Sequence, residues 1–238
     1  MRSMGKEWKT PIKAAAAQKR GQIFTKVARE VQVAAKIGGP DPEGNSRLKL
    51  AIAAARAVSC PKETIERAIK KGAGLLDDGT QIEEVTYEGT APYGVGVIIE
   101  CQTDNKNRTV GELRNIFKRH NGSLGESGSS SWMFERVAVV TGNKNDIRDA
   151  EEEAIEVNAN SVEKNENGSY SFYGAPTDLD SIRTGLMSRG WSVEAAERSY
   201  LPKNVSDLNE TQIQEIHELL QEIEEFDDSH RIFATVKN

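Results

Sequence analysis

Few of the residues that mark secreted, metal-binding or membrane proteins occur in this sequence of 238 residues. Its two cysteines, Cys60 and Cys101, lie far apart and form no CxxC pair, which excludes a disulfide framework and is typical of a reducing compartment. The three histidines are scattered, with no pair at metal-ligand spacing. No segment approaches the ~20 consecutive apolar residues of a membrane span, and the N-terminus has no apolar signal segment. We therefore expect a cytoplasmic protein without a metal or other cofactor.

The charged residues are divided unevenly along the chain. The formal net charge is −6, from 31 basic and 37 acidic residues. Residues 1–75 contain 16 basic and 6 acidic residues, a local net charge of +10, whereas the remainder contains 15 basic and 31 acidic residues, a net charge of −16. Such segregation concerns the partners of a protein rather than its fold. We expect the first third of the chain to attract phosphate and the remainder to repel it.

The first third of the sequence predicts short amphipathic helices, because apolar residues recur there at the 3.6-residue period. Pro61 is suited to the start of one of these helices and Gly72 to its end. The helices are expected over residues 22–37, 45–58 and 61–71. They would form a small bundle within residues 1–75, and residues 72–81 would form the linker that follows it.

Beyond the linker the apolar period changes to two, which is typical of strands. Between residues 137 and 199 the expected elements follow the order βαββαβ, that of the ferredoxin-like plait. A last helix and strand, over 210–226 and 231–236, have no partners of their own, so we expect them to complete the middle domain. The sequence thus predicts an α+β protein with an N-terminal three-helix bundle and two α+β domains, one of them a plait inserted in the other. The expected domains are residues 1–75, residues 82–135 together with 204–238, and residues 136–203.

Basic residues on the predicted helices form the first candidate site. Lysines and arginines on a helical scaffold would neutralise the phosphates of a nucleic acid and fix its position. The alternative is a solvated helix face, which the charge segregation disfavours. The short turn before the third helix also allows a helix-turn-helix in which residues 61–71 read DNA. The candidate nucleic-acid-binding residues are Lys19, Arg20, Lys26, Arg29, Arg47, Lys62, Arg67, Lys70 and Lys71.

The sequence TDNKNRT, between a predicted strand and a predicted helix, is the second candidate site. Side chains at such a junction lie beside free backbone N–H groups, an arrangement that suits an anion. The alternative is structural, with Asp104 and Asn105 forming a turn and Thr109 capping the helix. The residues of this secondary polar site are Thr103, Asp104, Asn105, Asn107, Arg108 and Thr109.

Catalytic motifs are not evident in the sequence. The segment Gly94-Val95-Gly96 lacks the third glycine of a dinucleotide-binding loop, and GESGSSS lacks the lysine of a P-loop. The glutamate runs are typical of solvated helix faces rather than of paired catalytic carboxylates. We therefore expect no enzymatic activity and no catalytic residues.

Four segments resemble the YebC/PmpR family in sequence, order and spacing. They read KRGQIFTKVAREVQVAAKIGGPDPEGNSRL, PKETIERAIKKGAG, YEGTAPYGVGVIIECQTDNKNRT and LRNIFKRHNGSLGESGSSSWMF. The resemblance covers nearly the whole chain and implies a helical bundle plus two α+β domains, without enzymatic activity. Members of this family are described as cytoplasmic DNA-binding transcriptional regulators. Bacterial and mitochondrial relatives, among them the translational activator of cytochrome c oxidase, are described as translation factors that act on the ribosome.

Both candidate sites coincide with family motifs. The TDNxNRT motif corresponds to residues 103–109, and the basic motif corresponds to Lys19, Arg20, Gly21, Phe24, Thr25, Lys26, Arg29 and Glu30. The N-terminal arm differs from the family, in which Gly-His-Ser-Lys-Trp and a strongly basic segment are usual. This chain has Gly5-Lys6-Glu7-Trp8, then four alanines from Ala14, and Met4 is a candidate start.

The sequence therefore predicts a non-enzymatic, nucleic-acid-binding regulator of gene expression, with transcriptional regulation on DNA as the first reading. A ribosome-associated translation factor that contacts ribosomal RNA is the alternative, because phosphate is common to both partners. A module that docks a small ligand or a protein is the third possibility, since plait folds host many functions.

Overall fold

The computed structural model describes residues 17–76 and 81–236, and for residues 17–19 the backbone only. The divergent N-terminal arm and residues 77–80 of the predicted linker lie outside these residues. The chain divides into two compact units, Met1–Phe134 with Pro202–Asn238, and Glu135–Leu201. The second unit is therefore an insertion in the sequence of the first. The further separation of the helical bundle from the middle domain stays a prediction.

Three helices come first in the described part of the chain, and strands, singly or in pairs, then alternate with single helices. The helices are α1 Ala17–Gly38, α2 Ser46–Ala57, α3 Lys62–Gly72, α4 Lys106–Arg119, α5 Ala150–Glu156, α6 Leu179–Ser188 and α7 Glu210–Glu225. The strands are β1 Glu83–Thr90, β2 Gly96–Thr103, β3 Ser123–Leu124, β4 Phe134–Asn143, β5 Ser161–Lys164, β6 Tyr170–Gly174, β7 Ser192–Pro202 and β8 Ser229–Ala234. The two-residue strand β3 is not predicted from sequence, because it is too short to show a period.

Helices α1, α2 and α3 pack around an apolar core of their own, which includes Val31, Leu48 and Ile65. The α1 and α3 helices approach so closely that a Cβ atom at Gly72 would lie 2.2 Å from the backbone oxygen of Gln32. Only glycine fits this contact. The predicted three-helix bundle is confirmed.

The first antiparallel sheet has the strand order β3-β1-β2-β8, so the C-terminal strand lies beside β2. The α4 and α7 helices supply apolar residues to the same core as this sheet, among them Phe117, Leu219 and Leu220. The polypeptide tail thus completes the sheet that the middle of the chain begins, as the unpartnered last helix and strand predict.

The second unit has the strand order β5-β6-β4-β7 and two helices, α5 and α6. In chain order this is the 4-1-3-2 arrangement of a βαββαβ plait. Its core includes Phe172 and Trp191, whose rings meet edge to face at a centroid distance of 4.8 Å. The predicted fold class, α+β with a ferredoxin-like insertion, is confirmed.

Candidate nucleic-acid interface

Some basic side chains of the bundle project into solvent and others are held by the protein itself. Among the exposed basic side chains of the three helices, Lys36 donates to the backbone oxygen of Ile82 and Lys49 pairs with Glu43. The others, which we call the exposed cations below, are Arg20 on α1, Arg56 on α2, and Lys62, Arg67 and Lys70 on α3. Lys62 lies 3.5 Å from the Glu66 carboxylate, a solvated pair of little energetic value. In the part of the chain that the structure describes, no side-chain hydrogen bond or ion pair engages Arg67 or Lys70.

The exposed cations differ slightly from the predicted set. Arg56 is missing from the prediction, although its place in the last turn of a helix in a basic region could have identified it. Lys71 is half-buried and takes part in an interaction of its own. The side chain of Lys19 lies outside the described residues.

Lys26 reaches from α1 to the C-terminal end of α7. Its ammonium donates to the backbone oxygen of Glu224 at 2.5 Å, which suits a cation because the last carbonyls of a helix are free acceptors. Burial lowers the pKa of Lys26, and the nearby acidic groups, Glu224 and Asp227, offset only part of that effect. Lys26 therefore acts in this structure as an internal contact between bundle and sheet.

Arg47 and Glu30 form a second connection between the bundle and the sheet. The guanidinium of Arg47 lies 2.8 Å from the carboxylate of Glu30 and 2.6 Å from that of Glu84, the second residue of β1. Burial alone would raise the pKa of Glu30, but the hydrogen bond and charge of Arg47 outweigh it and the pKa is lowered. Glu30 also accepts from Gln102 at 2.6 Å and lies 3.3 Å from His230. Burial lowers the pKa of His230 to about 4.

Arg29 donates to three acceptors of the sheet domain. Its guanidinium lies 2.9 Å from the Asp228 carboxylate, 2.6 Å from the backbone oxygen of Asp227 and 3.4 Å from that of Gln102. The Asp228 side chain is only 2% exposed, so its charge requires such partners. Arg29, like Lys26 and Arg47, is thus engaged by the sheet domain.

Three residues of the predicted secondary polar site also contact the carboxylate of Asp228. Arg108 lies 2.9 Å from Asp228, and the hydroxyls of Thr109 and Thr103 donate to it at 2.8 and 3.2 Å. Burial would raise the pKa of Asp228, but the hydrogen bonds from Arg108 and Thr109 and the charges of the two arginines lower it. We call Arg29, Thr103, Arg108, Thr109 and Asp228 the Asp228 cluster.

The helix cap at this junction differs from the expected one. Asn105, not Thr109, is the N-cap of α4, since its side-chain oxygen accepts from the backbone N–H of Arg108 at 3.0 Å. Thr109 lies in the first turn, where its hydroxyl is directed to Asp228. Asp104 pairs with Arg108 at 2.8 Å on the surface, and Asn107 is exposed. The junction thus contains a helix cap, as the structural alternative expects, with Asn105 in place of Thr109 as the capping residue.

The contacts between the bundle and the sheet domain described above are polar. The apolar cores of the bundle and of the first sheet have no residue in common in the described part of the chain. Ion pairs and hydrogen bonds of Lys26, Arg29 and Arg47 join the two. Sequence reasoning found both basic partners of Asp228 but missed Asp228 itself, because a single aspartate before the last strand has no local signal.

Neither metal-binding groups nor membrane-spanning helices are found among the described residues. No group of three or more histidine, cysteine or acidic side chains there could hold a metal ion. Among the helices that the structure describes, none has the length and apolar character needed to cross a membrane.

The fold defines the class of protein: a basic helical bundle precedes an α+β domain, and a second α+β domain is inserted in the sequence of the first. Ion pairs such as that of Arg29 and Asp228 join the bundle to the first α+β domain. Two family models match the chain: the TACO1/YebC protein N-terminal domain over residues 6–75, and the TACO1/YebC second and third domain over residues 82–236. The chain belongs to the TACO1/YebC family, as the resemblance predicts.

Relatives cover the full length of the chain. A protein of Bdellovibrio bacteriovorus, named a probable transcriptional regulatory protein, is 57% identical over 98% of this chain and 100% of its own length. A Geobacter sulfurreducens protein with the same designation is 42% identical over 93% of this chain and 90% of its own. The crystal structure of a conserved hypothetical protein of Aquifex aeolicus is similar with a TM-score of 0.81, at 39% identity, over 97% of this chain and 96% of that one.

Proposed function

We propose that this protein is a non-enzymatic regulator of gene expression, acts in the cytoplasm, and binds nucleic acid through the exposed cations of its helical bundle. The observation that supports this proposal is the division of the bundle's basic residues. Lys26, Arg29 and Arg47 are engaged within the protein, whereas Arg67 and Lys70 have no partner in the described residues. Cations that no carboxylate neutralises are those that a phosphate backbone attracts most strongly.

The predicted residues then have two roles. Arg20, Lys62, Arg67 and Lys70 would contact phosphates directly, and the surface that they form would include Arg56. Lys26, Arg29 and Arg47 would position the bundle, together with the secondary polar site around Arg108. The relatives are named as probable transcriptional regulatory proteins, so the first candidate function is that of a DNA-binding transcriptional regulator.

The outer face of α3 favours a second candidate, a translation factor that contacts ribosomal RNA. Glu63 and Glu66 are exposed on this helix beside Arg67 and Lys70. A recognition helix in a major groove would bring these carboxylates towards the phosphates that flank the groove. Contacts to the backbone of structured RNA can avoid this repulsion between carboxylates and phosphates, because only the cations need to approach the phosphates.

Salt dependence separates both nucleic-acid functions from the third candidate, a module that docks a ligand or a protein. If about five phosphates are engaged, the logarithm of the affinity should fall with the logarithm of salt concentration with a slope of roughly −4 to −4.5. Docking of a neutral ligand would show almost no slope.

Crosslinking in cells, followed by sequencing of the DNA and RNA recovered with the protein, tests the proposed function. Recovery at discrete promoter sites is the result expected of a transcriptional regulator. Recovery concentrated at a few positions of ribosomal RNA would favour the translation factor. Recovery of neither nucleic acid from an efficient crosslinking reaction would contradict the proposal.

A further inference from the structure

Trp132 presents a large aromatic ring to solvent. Its side chain is 65% exposed, in a short helical turn just before β4. An indole is among the side chains whose burial contributes most to stability, and tryptophans are highly buried on average. An exposed tryptophan on an ordered segment is therefore a candidate contact for a partner.

The segment before Trp132 is held in place by a buried carboxylate. Glu88, which is 8% exposed, accepts from the backbone N–H groups of Gly128, Ser130 and Ser131 at 2.9, 2.8 and 2.7 Å. Ser130 is fully buried, and its hydroxyl donates to the backbone oxygen of Gly89 at 2.7 Å. Four hydrogen bonds thus fix the loop to β1. Trp132 is therefore exposed on a segment whose backbone is held in place.

The polar groups of Trp132 itself are already engaged. Its indole N–H donates to the backbone oxygen of Ser129 at 3.0 Å, and its own backbone oxygen accepts from the ammonium of Lys203 at 2.9 Å. The ring orientation is therefore constrained on the loop, while the greater part of the ring stays accessible. What the residue offers to a partner is an aromatic surface with a cation beside its backbone.

The exposed chain on either side of Trp132 is polar. Residues 125–129 are exposed glycines, serines and one glutamate, Glu126, and Trp132 is the only large apolar side chain exposed between residues 121 and 136, all of which are described. A protein interface usually places such an anchor inside a wider apolar patch with a dry rim. A single aromatic ring among polar groups suits base stacking instead, because every nucleobase has a π-face and its sugar-phosphate chain stays solvated.

We propose that Trp132 is a stacking platform for an unpaired nucleotide base, with Lys203 beside it as a cation for the same strand. This inference rests on the proposed function and adds to it a second contact, on the sheet domain, that requires single-stranded nucleic acid. Because the chain beyond the bundle carries a net charge of −16, this contact depends on stacking and on Lys203 rather than on a general attraction of phosphate. A base paired within a regular duplex is stacked on both faces and cannot meet the ring. The protein therefore distinguishes single strands or loops from uninterrupted duplex at this site.

Fluorescence anisotropy with a labelled mixed-sequence single-stranded RNA and a blunt DNA duplex of equal length tests the inference. For Trp132→Ala we expect a loss of about 5- to 150-fold in affinity for the single strand, the range that stacking on one aromatic ring gives. Affinity for the duplex should stay within about twofold, and Trp132→Phe should restore most of the single-strand affinity. Leu75→Ala is the matched control, because Leu75 is another exposed apolar residue, at 70%.

The outcomes separate this inference from the function on which it rests. Unchanged single-strand affinity of Trp132→Ala, or an equal loss in Leu75→Ala, would overturn the stacking platform while leaving binding by the exposed cations intact. Equal affinity together with loss of a protein partner in pull-downs with Trp132→Ala would assign the ring to a protein and also overturn it. A wild-type protein that binds neither probe would contradict the proposed function itself.

Discussion

The guanidinium of Arg29 lies 2.9 Å from the carboxylate of Asp228, and this ion pair joins the first helix of the chain to the turn before its last strand. The same carboxylate accepts from Arg108, 120 positions away in sequence. A buried aspartate with two arginines and two threonine hydroxyls is well compensated, whereas removal of one charge leaves the others unpaired. The Asp228 cluster is thus one of the contacts that join the bundle to the sheet domain, beside those of Lys26 and Arg47.

Asp228→Asn should destabilise the protein, because it leaves Arg29 and Arg108 without the charge that compensates them. We expect the free energy of unfolding in urea to fall by about 1–3 kcal/mol, less than for a fully buried pair because Arg108 is partly exposed. Asp104→Asn is the control, since it removes the exposed partner of the same arginine and should cost less than about 1 kcal/mol. Equal effects of the two variants would show that the cluster has no special role.

His230 should make the protein less stable in weak acid. Burial lowers its pKa from 6.5 to about 4 in the folded state, so between these values the unfolded chain binds a proton that the folded protein does not. The free energy of unfolding therefore keeps its full value above pH ~6.5 and falls as the pH falls. Near pH 4 it should be lower by about 3 kcal/mol. Urea titrations at several pH values should show a shallower decline for His230→Gln than for the wild type.

His120→Gln is the comparison for that experiment, because it removes a histidine from the end of α4 and leaves His230 in place. Its pH profile between 7 and 4 should follow that of the wild type more closely than His230→Gln does. Superimposable profiles for the wild type and His230→Gln would contradict the assignment to His230.

Glu88→Gln should loosen the loop that presents Trp132. The substitution replaces one acceptor oxygen by an NH₂ group facing backbone donors, which costs about 1–3 kcal/mol when buried. Hydrogen exchange at the amides of Gly128, Ser130 and Ser131 should become faster. Glu126→Gln, a change of equal charge on the exposed part of the same loop, should leave exchange as it is. Unchanged protection in Glu88→Gln would mean that other contacts hold the loop.

Much of the fold follows from local sequence. The α3 helix, Lys62–Gly72, is shifted by one residue from its predicted bounds of 61–71, and α7, Glu210–Glu225, ends one residue before the predicted 226. The α5 helix begins at Ala150, because Asp149 caps it by accepting from the N–H groups of Glu151 and Glu152. Apolar periodicity locates an element well but defines its end poorly, since the cap depends on one side chain.

The candidate site was less accessible to sequence reasoning. Charge counting finds Lys26, Arg29 and Arg67 alike, but only the tertiary structure distinguishes a cation that meets Asp228 or Glu224 from one in solvent. The partners lie about 200 positions away, for example at a separation of 199 for Arg29 and Asp228, and no local pattern connects them. For the same reason the sequence groups Lys26 with the phosphate contacts. In the structure, a charge-reversing substitution of Lys26 would remove its hydrogen bond to the backbone oxygen of Glu224.

The measurement that tests the central claim most directly is nucleic-acid affinity of the double variant Arg67→Glu/Lys70→Glu at low salt. Both side chains are exposed and without partners in the described residues, so the fold should be kept. Arg148→Glu/Lys164→Glu, on exposed positions of the inserted domain, changes the net charge equally and is the control. We expect a loss of at least about tenfold for the first variant and a much smaller one for the second. Equal affinities of the two variants would contradict binding through the helical bundle.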